Sequence, residues 1–319
     1  MEDHGLSRDR DTCHRLALDH VLALIADAEW SSQLVLRGSM LMTAYAGSAA
    51  RKPADLDFVV VQDGWPVEDL DPFPYVDDLA SIQQWPETAD GAGRADLWID
   101  DEFDTGGLHP RVAPEGVSWI RAEQWEEASP YEDLRRRIEE SPQVGSGIVL
   151  AARQFEEPGD WTYSGYAMAG SRVTVPWQLE GERDAAHELS GVVQLDFAMD
   201  EPMPWRPAWT RIPRLAGGFS ALRAASPELS LAWKLMWLLE DSKGDGFSRG
   251  KDLYDAVVLA ELTGLGTVKR VAGLDLAALR RRDVDGARVD WEAFLVDYPE
   301  VEGSVGEWKQ RLMNALALL

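Results

Sequence analysis

The most constraining feature of the sequence is a strand–turn–helix–strand pattern in residues 33–62 that ends in two aspartates. An apolar strand leads into the pair Gly38-Ser39, a helical segment follows, and a second strand opens with Asp55 and Asp57. Residues i and i+2 of a strand point to the same face, so the two carboxylates lie side by side. Because like charges on an apolar strand repel each other, a divalent metal that carries a phosphate is the commonest reason to build such a pair.

The Gly38-Ser39 turn adds a second indication in the same region. Backbone N–H groups and a serine hydroxyl at the start of a helix bind anions well. We therefore expect this turn to hold phosphate. Arg51 and Lys52 stand shortly before Asp55, where they either contact phosphate or are ordinary loop charges.

The charge balance restricts the partners of the chain. The formal net charge of its 319 residues is −25, which repels nucleic acid from most of the surface and excludes non-specific binding through an all-round basic face. Local basic patches remain compatible with this charge, although the simpler interpretation of each candidate is a solvated helix face. The candidates are Arg135-Arg136-Arg137, Arg211 with Arg214, and Arg280-Arg281-Arg282.

Composition and targeting signals indicate a cytoplasmic protein with no membrane segment. Apolar residues make up 45% of the chain, enough for a sizeable core, but no run of about 18 apolar residues occurs. The first residues lack a cationic segment followed by an apolar one, so we expect no signal peptide. Cys13 is the single cysteine, which excludes an internal disulfide and a cysteine-based metal site.

The order of the apolar patterns predicts an α+β fold with a helical C-terminal part. We expect strands at 33–36, 55–62 and 191–199, and short strands at 95–99 and 116–120. We expect helices at 12–30, 122–139, 228–240, 251–262, 274–282 and 304–319. A boundary near residue 220 would divide the chain into a first domain, 1–220, with an irregular middle insertion, and a helical C-terminal domain, 221–319.

Asp196 is a third carboxylate of interest. It lies in the middle of the strand 191–199, on the face opposite Val193, Leu195 and Phe197. It is either an exposed residue of a half-solvated sheet or a neighbour of the aspartate pair on an adjacent strand. In the second case three carboxylates converge and hold two Mg²⁺ ions, and Asp196 serves as general base or second-metal ligand.

Lys234 stands out in the helix 228–240, which is apolar almost all round and is therefore expected to be buried. A buried ammonium needs an anion or it loses its proton. A structural salt bridge, an ammonium that reaches the surface, and a bound triphosphate each satisfy this requirement. Together with the other motifs, we favour the triphosphate.

The segment 249–255, Arg-Gly-Lys-Asp-Leu-Tyr-Asp, places four charges at the start of a helix. Asp252 and Asp255 are i, i+3 neighbours and share a face. An acid near a helix N-terminus is often a simple cap. That explains one of the two acids but not both beside Arg249 and Lys251, so we assign this segment to the site.

Several other site classes lack support in the sequence. The five histidines show neither metal-ligand spacing nor a serine partner, which argues against a hydrolase triad. No Walker A sequence and no G-x-G-x-x-G pattern occurs, so P-loop and Rossmann folds are not indicated.

The order of these segments resembles the AbiEii/AbiGii toxin family of nucleotidyltransferases, within the DNA polymerase β-like superfamily. Gly-Ser followed by Asp-x-Asp is typical of the superfamily, and the two later motifs narrow the resemblance to the family. It covers residues 33–62 and 191–262, under half of the chain. The matching segments are Leu36-Arg37-Gly38-Ser39, Asp55-Leu56-Asp57, Leu195-Asp196-Phe197, Ala232-Trp233-Lys234-Leu235 and Arg249-Gly250-Lys251-Asp252-Leu253-Tyr254-Asp255.

The resemblance implies a nucleotidyltransferase-type mixed sheet with flanking helices, followed by a helical domain, with the nucleotide between them. Family members are toxins of toxin–antitoxin pairs, and some add nucleotides to the 3′ end of tRNA. We predict three groups of site residues. They are the catalytic residues Asp55, Asp57, Asp196, Lys234 and Asp252; the triphosphate-binding residues Gly38, Ser39, Lys52, Arg249 and Lys251; and the ligands of two Mg²⁺ ions, Asp55, Asp57 and Asp196.

The predicted function is Mg²⁺-dependent transfer of NMP from an NTP to an acceptor, in the toxin of a type IV-like toxin–antitoxin pair. RNA, and tRNA in particular, is one acceptor, and an antitoxin protein is an expected partner. One alternative is transfer to a small cationic molecule of the aminoglycoside kind, which would suit an acidic cleft. Others are a non-catalytic protein that binds nucleotide or antitoxin, and an acidic mimic of nucleic acid.

Overall fold

A computed structural model describes most of the chain outside its middle region. The described residues are 9–61, 130–162, 169–180, 189–198, 203, 207–243, 246–262, 270–271, 274–275 and 281–317, with six short strands between 75 and 120. The chain divides into two compact units, one made of Met1–Val61 and Tyr131–Leu319 and the other of Gln62–Pro130. The predicted boundary near residue 220 falls within the first unit and stays a prediction.

The main sheet belongs to the first unit. Among the described residues it contains nine strands, which are β1 (Leu34–Arg37), β2 (Leu56–Val60), β3 (Gln143–Gly145), β4 (Ile148–Leu150), β5 (Glu156–Thr162), β6 (Ala169–Leu179), β7 (Ser190–Ala198), β8 (Ala208–Pro213) and β9 (Phe219–Ala224). Their order is β8-β9-β1-β2-β7-β6-β4-β3, and β5 pairs with β6. The pairs β1–β9 and β2–β7 are parallel and the others antiparallel.

Eight α-helices are described in the same part of the chain. They are α1 (Arg10–Ala26), α2 (Gly38–Ala46), α3 (Pro130–Glu140), α4 (Pro227–Glu240), α5 (Gly250–Ala260), α6 (Arg281–Gly286), α7 (Trp291–Asp297) and α8 (Val305–Leu316). In the second unit the described residues form three short strand pairs, Tyr75–Val76 with His109–Pro110, Gln83–Gln84 with Phe103–Asp104, and Leu97–Ile99 with Ser118–Ile120.

Four of the eight described helices begin at a side chain that caps their first turn. Ser226 accepts a hydrogen bond from the Leu229 N–H with Pro227 in the first turn, as predicted for the start of α4. Two boundaries differ from the prediction. The first helix ends at Ala26 and is followed by a short 3₁₀ segment. Leu274–Asp275 is a strand rather than the start of a helix, because it pairs antiparallel with Arg270–Val271.

Two apolar cores give this fold its α+β character. The larger one joins α1 and α2 to the sheet, with Phe58 and Phe197 stacked at 5.5 Å between ring centroids. The second one joins α4, α5, α7 and α8 and contains Trp291 and Trp308. The predicted fold class, a mixed sheet with flanking helices followed by a helical C-terminal part, is therefore confirmed. None of the described helices has the length and apolar character required to span a membrane.

Candidate active site

Three carboxylates meet at the centre of the sheet. Asp57 of β2 pairs in register with Asp196 of the parallel strand β7, and Asp55 precedes β2. One oxygen of each carboxylate lies within 4.8 Å of the others. The strands thus bring together residues that are about 140 positions apart in the chain, because parallel pairing places them on one face.

Side chains of β6 and of its own strand β7 donate hydrogen bonds to the Asp196 carboxylate. The Arg172 guanidinium, directly across from it in register, donates from Nε and Nη2 to the two carboxylate oxygens at 2.6 and 2.9 Å. Gln194 Nε2 donates to Asp196 Oδ2 at 2.9 Å. Two-point binding by a guanidinium fixes the plane of a carboxylate, so Arg172 orients Asp196. Sequence analysis missed Arg172, since nothing local to it signals the pairing of β6 with β7.

The first turn of α2 packs directly against the aspartate pair. Ser39 Oγ donates to Asp55 Oδ1 at 3.1 Å. Gly38 has φ = 74°, and a Cβ atom at this position would lie 2.2 Å from Asp57 Oδ2. Glycine is therefore required twice here, once for the left-handed backbone and once for the close approach of a carboxylate.

We expect Gly38→Ala to reduce stability and to weaken metal binding. The added methyl group must displace the Asp57 carboxylate, and the positive φ alone costs about 1–2 kcal/mol. We expect about 10-fold weaker Mn²⁺ binding by titration calorimetry, in line with the loss of a supporting contact. Gly47→Ala is the matched control, because Gly47 also has positive φ but nothing lies within 4 Å of its added Cβ. Equal Mn²⁺ affinity in the two variants would contradict the steric account.

Burial and neighbouring charges make Asp57 a much weaker acid than an ordinary aspartate. Burial, followed by the neighbouring Asp55 and then Asp196, raises the pKa of Asp57 to about 7, although Arg37 and Lys251 act in the opposite direction. A proton therefore partly neutralises this carboxylate near neutral pH. A divalent cation would replace that proton, since it interacts with all three carboxylates at once.

The donor set fits a hard divalent cation. Carboxylate oxygens are the ligands that Mg²⁺ and Mn²⁺ prefer, and the three oxygens lie close enough together for one ion to reach them all. Asp55 and Asp57 are only half-buried, which leaves access for an ion and its phosphate ligand.

Lys234 and Asp252 lie in a second, buried cluster of charges. The Lys234 ammonium donates to Asp252 Oδ1 at 2.7 Å and lies 3.1 Å from Asp255 Oδ2. Arg51 donates from Nε to Asp255 Oδ1 at 3.0 Å and from Nη2 to Oδ2 at 3.1 Å. We call these four side chains the buried ion network. It joins α4, α5 and the segment that leads into Asp55.

The network holds Lys234 and Asp255 in their charged forms. Burial lowers the pKa of Lys234, but Asp252 and Asp255 outweigh it and the pKa lies above its usual value. Burial raises the pKa of Asp255, but Arg51 and Lys234 reverse this effect and hold the pKa below its usual value. The anion that the sequence analysis required for Lys234 is thus supplied by α5 itself.

The other predicted phosphate ligands occupy different environments. Lys52 is exposed and forms an ion pair with Asp11 at 2.7 Å. Arg249 is exposed at the start of α5, whereas Lys251 is half-buried and acts on the pKa of Asp57. Among the described residues, a cleft of about 440 Å³ is lined in part by Lys52 and runs between α1, the end of α2 and the β8–β9 turn.

Comparison with known proteins finds one family. The family model described as nucleotidyl transferase AbiEii toxin, type IV TA system, matches residues 120–312. This span contains Asp196 and Lys234, whereas Asp55 and Asp57 precede it. A search of curated proteins finds no match.

Proposed function

The chain belongs to the AbiEii family of nucleotidyl transferase toxins of type IV toxin–antitoxin systems, and from this membership we propose that it is a metal-dependent nucleotidyltransferase. The observation that carries the proposal is the convergence of Asp55, Asp57 and Asp196 within 4.8 Å. Three carboxylates so close together are well suited to a divalent cation and poorly suited to a purely structural role.

The proposed reaction is an in-line displacement at the α-phosphate of an NTP. A hydroxyl oxygen of the acceptor forms a bond to the α-phosphorus, the bond from that phosphorus to the pyrophosphate oxygen breaks, and the hydroxyl proton passes to a carboxylate. Asp196 is our candidate for that base or for a ligand of a second ion. Two bound Mg²⁺ ions would neutralise the triphosphate and make the attacking hydroxyl more acidic. The protein contributes position and charge rather than a covalent intermediate.

We assign the triphosphate to the start of α2 and the start of α5. Gly38 and Ser39 present their backbone N–H groups at a helix N-terminus, which favours anions. Lys251 supports this placement, because its charge already acts on Asp57. Arg249 is the next cation at the same helix start. Lys52 would have to leave its surface ion pair with Asp11 to reach phosphate, and this is a small barrier.

For Lys234 and Asp252 the buried ion network supports a positioning role. Their ion pair fixes α4 against α5, and through Asp255 and Arg51 it fixes the segment that leads into Asp55. We propose that they act on the reaction by fixing the position of Lys251 relative to Asp55 and Asp57.

We propose RNA as the acceptor, an antitoxin protein as partner and a cytoplasmic location, where NTP is abundant. A small cationic acceptor is the second candidate, because the net charge of −25 attracts cations. A non-catalytic binder of nucleotide or antitoxin is disfavoured by the intact carboxylate triad.

The test is transfer of label from each NTP, labelled at the α-phosphate, to total RNA and separately to total protein. We expect label in RNA with Mg²⁺ and none with EDTA. Asp196→Ala should lower the rate by at least about 10³-fold, since several kcal/mol of charge stabilisation depend on the triad. Glu292→Ala, which removes an exposed acid of α7, should act like the wild type.

Two outcomes separate the alternatives. Label on neither macromolecule, with a melting temperature that still rises on addition of Mg-NTP, would identify a nucleotide binder or a small-molecule transferase. No effect of Mg-NTP on the melting temperature and no label would contradict the proposed function as a whole.

A further inference from the structure

The β8–β9 hairpin differs in charge from the remainder of the chain. The protein has 56 acidic residues among 319, yet the stretch 202–227 contains none. Four arginines fall within it, namely Arg206, Arg211, Arg214 and Arg223. A cationic segment of this length in a chain of net charge −25 marks a place where a polyanion can bind without repulsion.

One side of this hairpin exposes aromatic rings and arginine together. Trp209 is 64% exposed and Phe219 47% exposed, and the Arg211 guanidinium lies 4.6 Å from the centroid of the Phe219 ring. Arg223 pairs with Trp209 in register and donates to the Ser32 carbonyl oxygen at 2.6 Å. We call the outward side chains of Trp209, Arg211, Phe219 and Arg223 the hairpin face.

The opposite side of the hairpin is buried and fixes the position of the hairpin face. Ile212, Ser220 and Leu222 are at most 1% exposed, and β8 and β9 contact α2 and α1, respectively. The exposed rings are therefore carried by a rigid part of the sheet. Of the other arginine clusters, the one on α3 is paired with acids of its own helix, such as Arg136 with Glu140 at 2.8 Å.

The hairpin face lies on the same side of the sheet as the carboxylate triad. Ala224 of β9 pairs with Leu36 of β1, and the next residue of β1, Arg37, pairs with Asp57 of β2. Because paired residues share a face and successive residues alternate, Arg223 and the other members of the hairpin face share the face of Asp57. Strand β8 is three strands from β2, which corresponds to roughly 14 Å at about 4.8 Å per strand.

We propose that the hairpin face binds a single-stranded RNA segment of the acceptor, an inference that rests on the proposed function. Stacking of bases on exposed aromatic rings, with arginine on the phosphates, is the general way in which proteins hold single strands. Between the hairpin face and Asp57 this side of the sheet is covered by α4, because Arg37 of β1 is 3% exposed and its guanidinium lies 5.3 Å and 5.4 Å from the ring centroids of Trp233 and Trp237. A strand that stacks on Trp209 therefore reaches the triad around the edge of α4, and the acidic surface elsewhere would favour the hairpin face as the place where a polyanion binds.

An acidic peptide is the other occupant that an arginine-rich surface could take. The aromatic rings favour RNA, because Trp209 and Phe219 offer flat exposed faces that suit bases. Polyglutamate reproduces the charge of RNA but has no bases, so it separates the two occupants experimentally.

The experiment measures binding of a fluorescein-labelled oligouridylate of about 12 nucleotides by fluorescence anisotropy, in EDTA and without NTP. We expect Trp209→Ala to weaken binding about 5- to 150-fold, the range observed for loss of one stacking partner. Arg211→Glu should weaken binding and reduce the salt slope, d log K/d log [salt], by about 0.7 or more, the amount lost with one phosphate contact. Arg211→Lys should keep most of the slope.

The matched control is a second exposed aromatic–arginine pair that lies outside the sheet. Phe247 is 61% exposed, and the Arg288 guanidinium lies 5.0 Å from its ring centroid. Phe247→Ala and Arg288→Glu should bind the oligonucleotide as the wild type does. Circular dichroism checks the fold of each variant, and if Trp209→Ala is misfolded, Arg211→Glu alone decides the result.

Three results would overturn the assignment. They are no oligouridylate binding by the wild type, equal losses in the hairpin and control variants, and binding of polyglutamate in place of oligouridylate. Because metal and NTP are absent, these results leave the proposed transferase function untouched. Conversely, Asp57→Asn should bind the oligonucleotide at least as tightly as the wild type even though it cannot transfer a nucleotide.

Discussion

Asp57→Asn is expected to abolish nucleotidyl transfer and, at the same time, to make the metal-free protein more stable above neutral pH. Burial and the neighbouring carboxylates raise the pKa of Asp57 from 3.8 to about 7. The folded protein therefore keeps a proton between these pH values that the unfolded chain has already released. Its free energy of unfolding falls as the pH rises from about 4 to about 7, and the loss is complete above that range.

The size of the stabilisation follows from the same shift. A shift of about three units corresponds to ~4 kcal/mol, and because Asp57 is half-buried and screened in part by solvent, we expect about 2 kcal/mol. Near pH 8 this raises the melting temperature of Asp57→Asn by about 3 °C above that of the wild type. The difference should shrink as the pH falls toward about 4 and disappear below about pH 3, where the wild-type carboxylate is protonated in both states.

Metal addition should reverse the order of the two proteins. The wild type gains stability from Mn²⁺ because its carboxylates bind the ion, whereas the variant lacks one ligand charge. Melting curves with and without Mn²⁺ across the pH range measure both effects, and Asp11→Asn, at an exposed position, serves as control. A variant that is no more stable than the wild type near pH 8, or that still transfers nucleotide, would contradict this account of the triad.

The sequence was informative about the site wherever the signal is local. Asp55 and Asp57 are recognisable because a period of two puts them on one face, and Asp196 because it interrupts an apolar strand. The pairing of β2 with β7 is not readable from either strand, and the same holds for the pairing of β6 with β7 that brings Arg172 to Asp196. Strand register depends on contacts over the whole sheet.

For Lys234 too, the sequence predicted the local environment but not the partners. Its place in an apolar helix predicts burial and an anionic partner, and both are found. The identity of the partners depends on the approach of α5 and of Arg51, which is 204 residues from Asp255 in the chain. The helical C-terminal part was predictable from its caps and periodicity, whereas the short strand Leu274–Asp275 was not recognised.

Asp255→Asn is expected to lower the free energy of unfolding by about 3–5 kcal/mol, the usual effect of removing one partner from a buried set of charges. Asp255 is fully buried between Arg51 and Lys234, so its loss leaves two cations to share Asp252 away from water. Urea unfolding followed by tryptophan fluorescence measures the change. Asp11→Asn breaks the exposed pair with Lys52 and should change stability by less than about 1 kcal/mol.

A double variant separates the charge effect from a packing effect. Arg51→Met with Asp255→Leu removes one cation and one anion and leaves the Lys234–Asp252 pair, at 2.7 Å, in place. Replacing a buried ion pair by apolar side chains of similar volume is often neutral, so the double variant should recover most of the stability lost in Asp255→Asn. If it is as unstable as the single variant, the loss comes from packing, and the buried ion network does not hold α4, α5 and the Asp55 segment together through its charges.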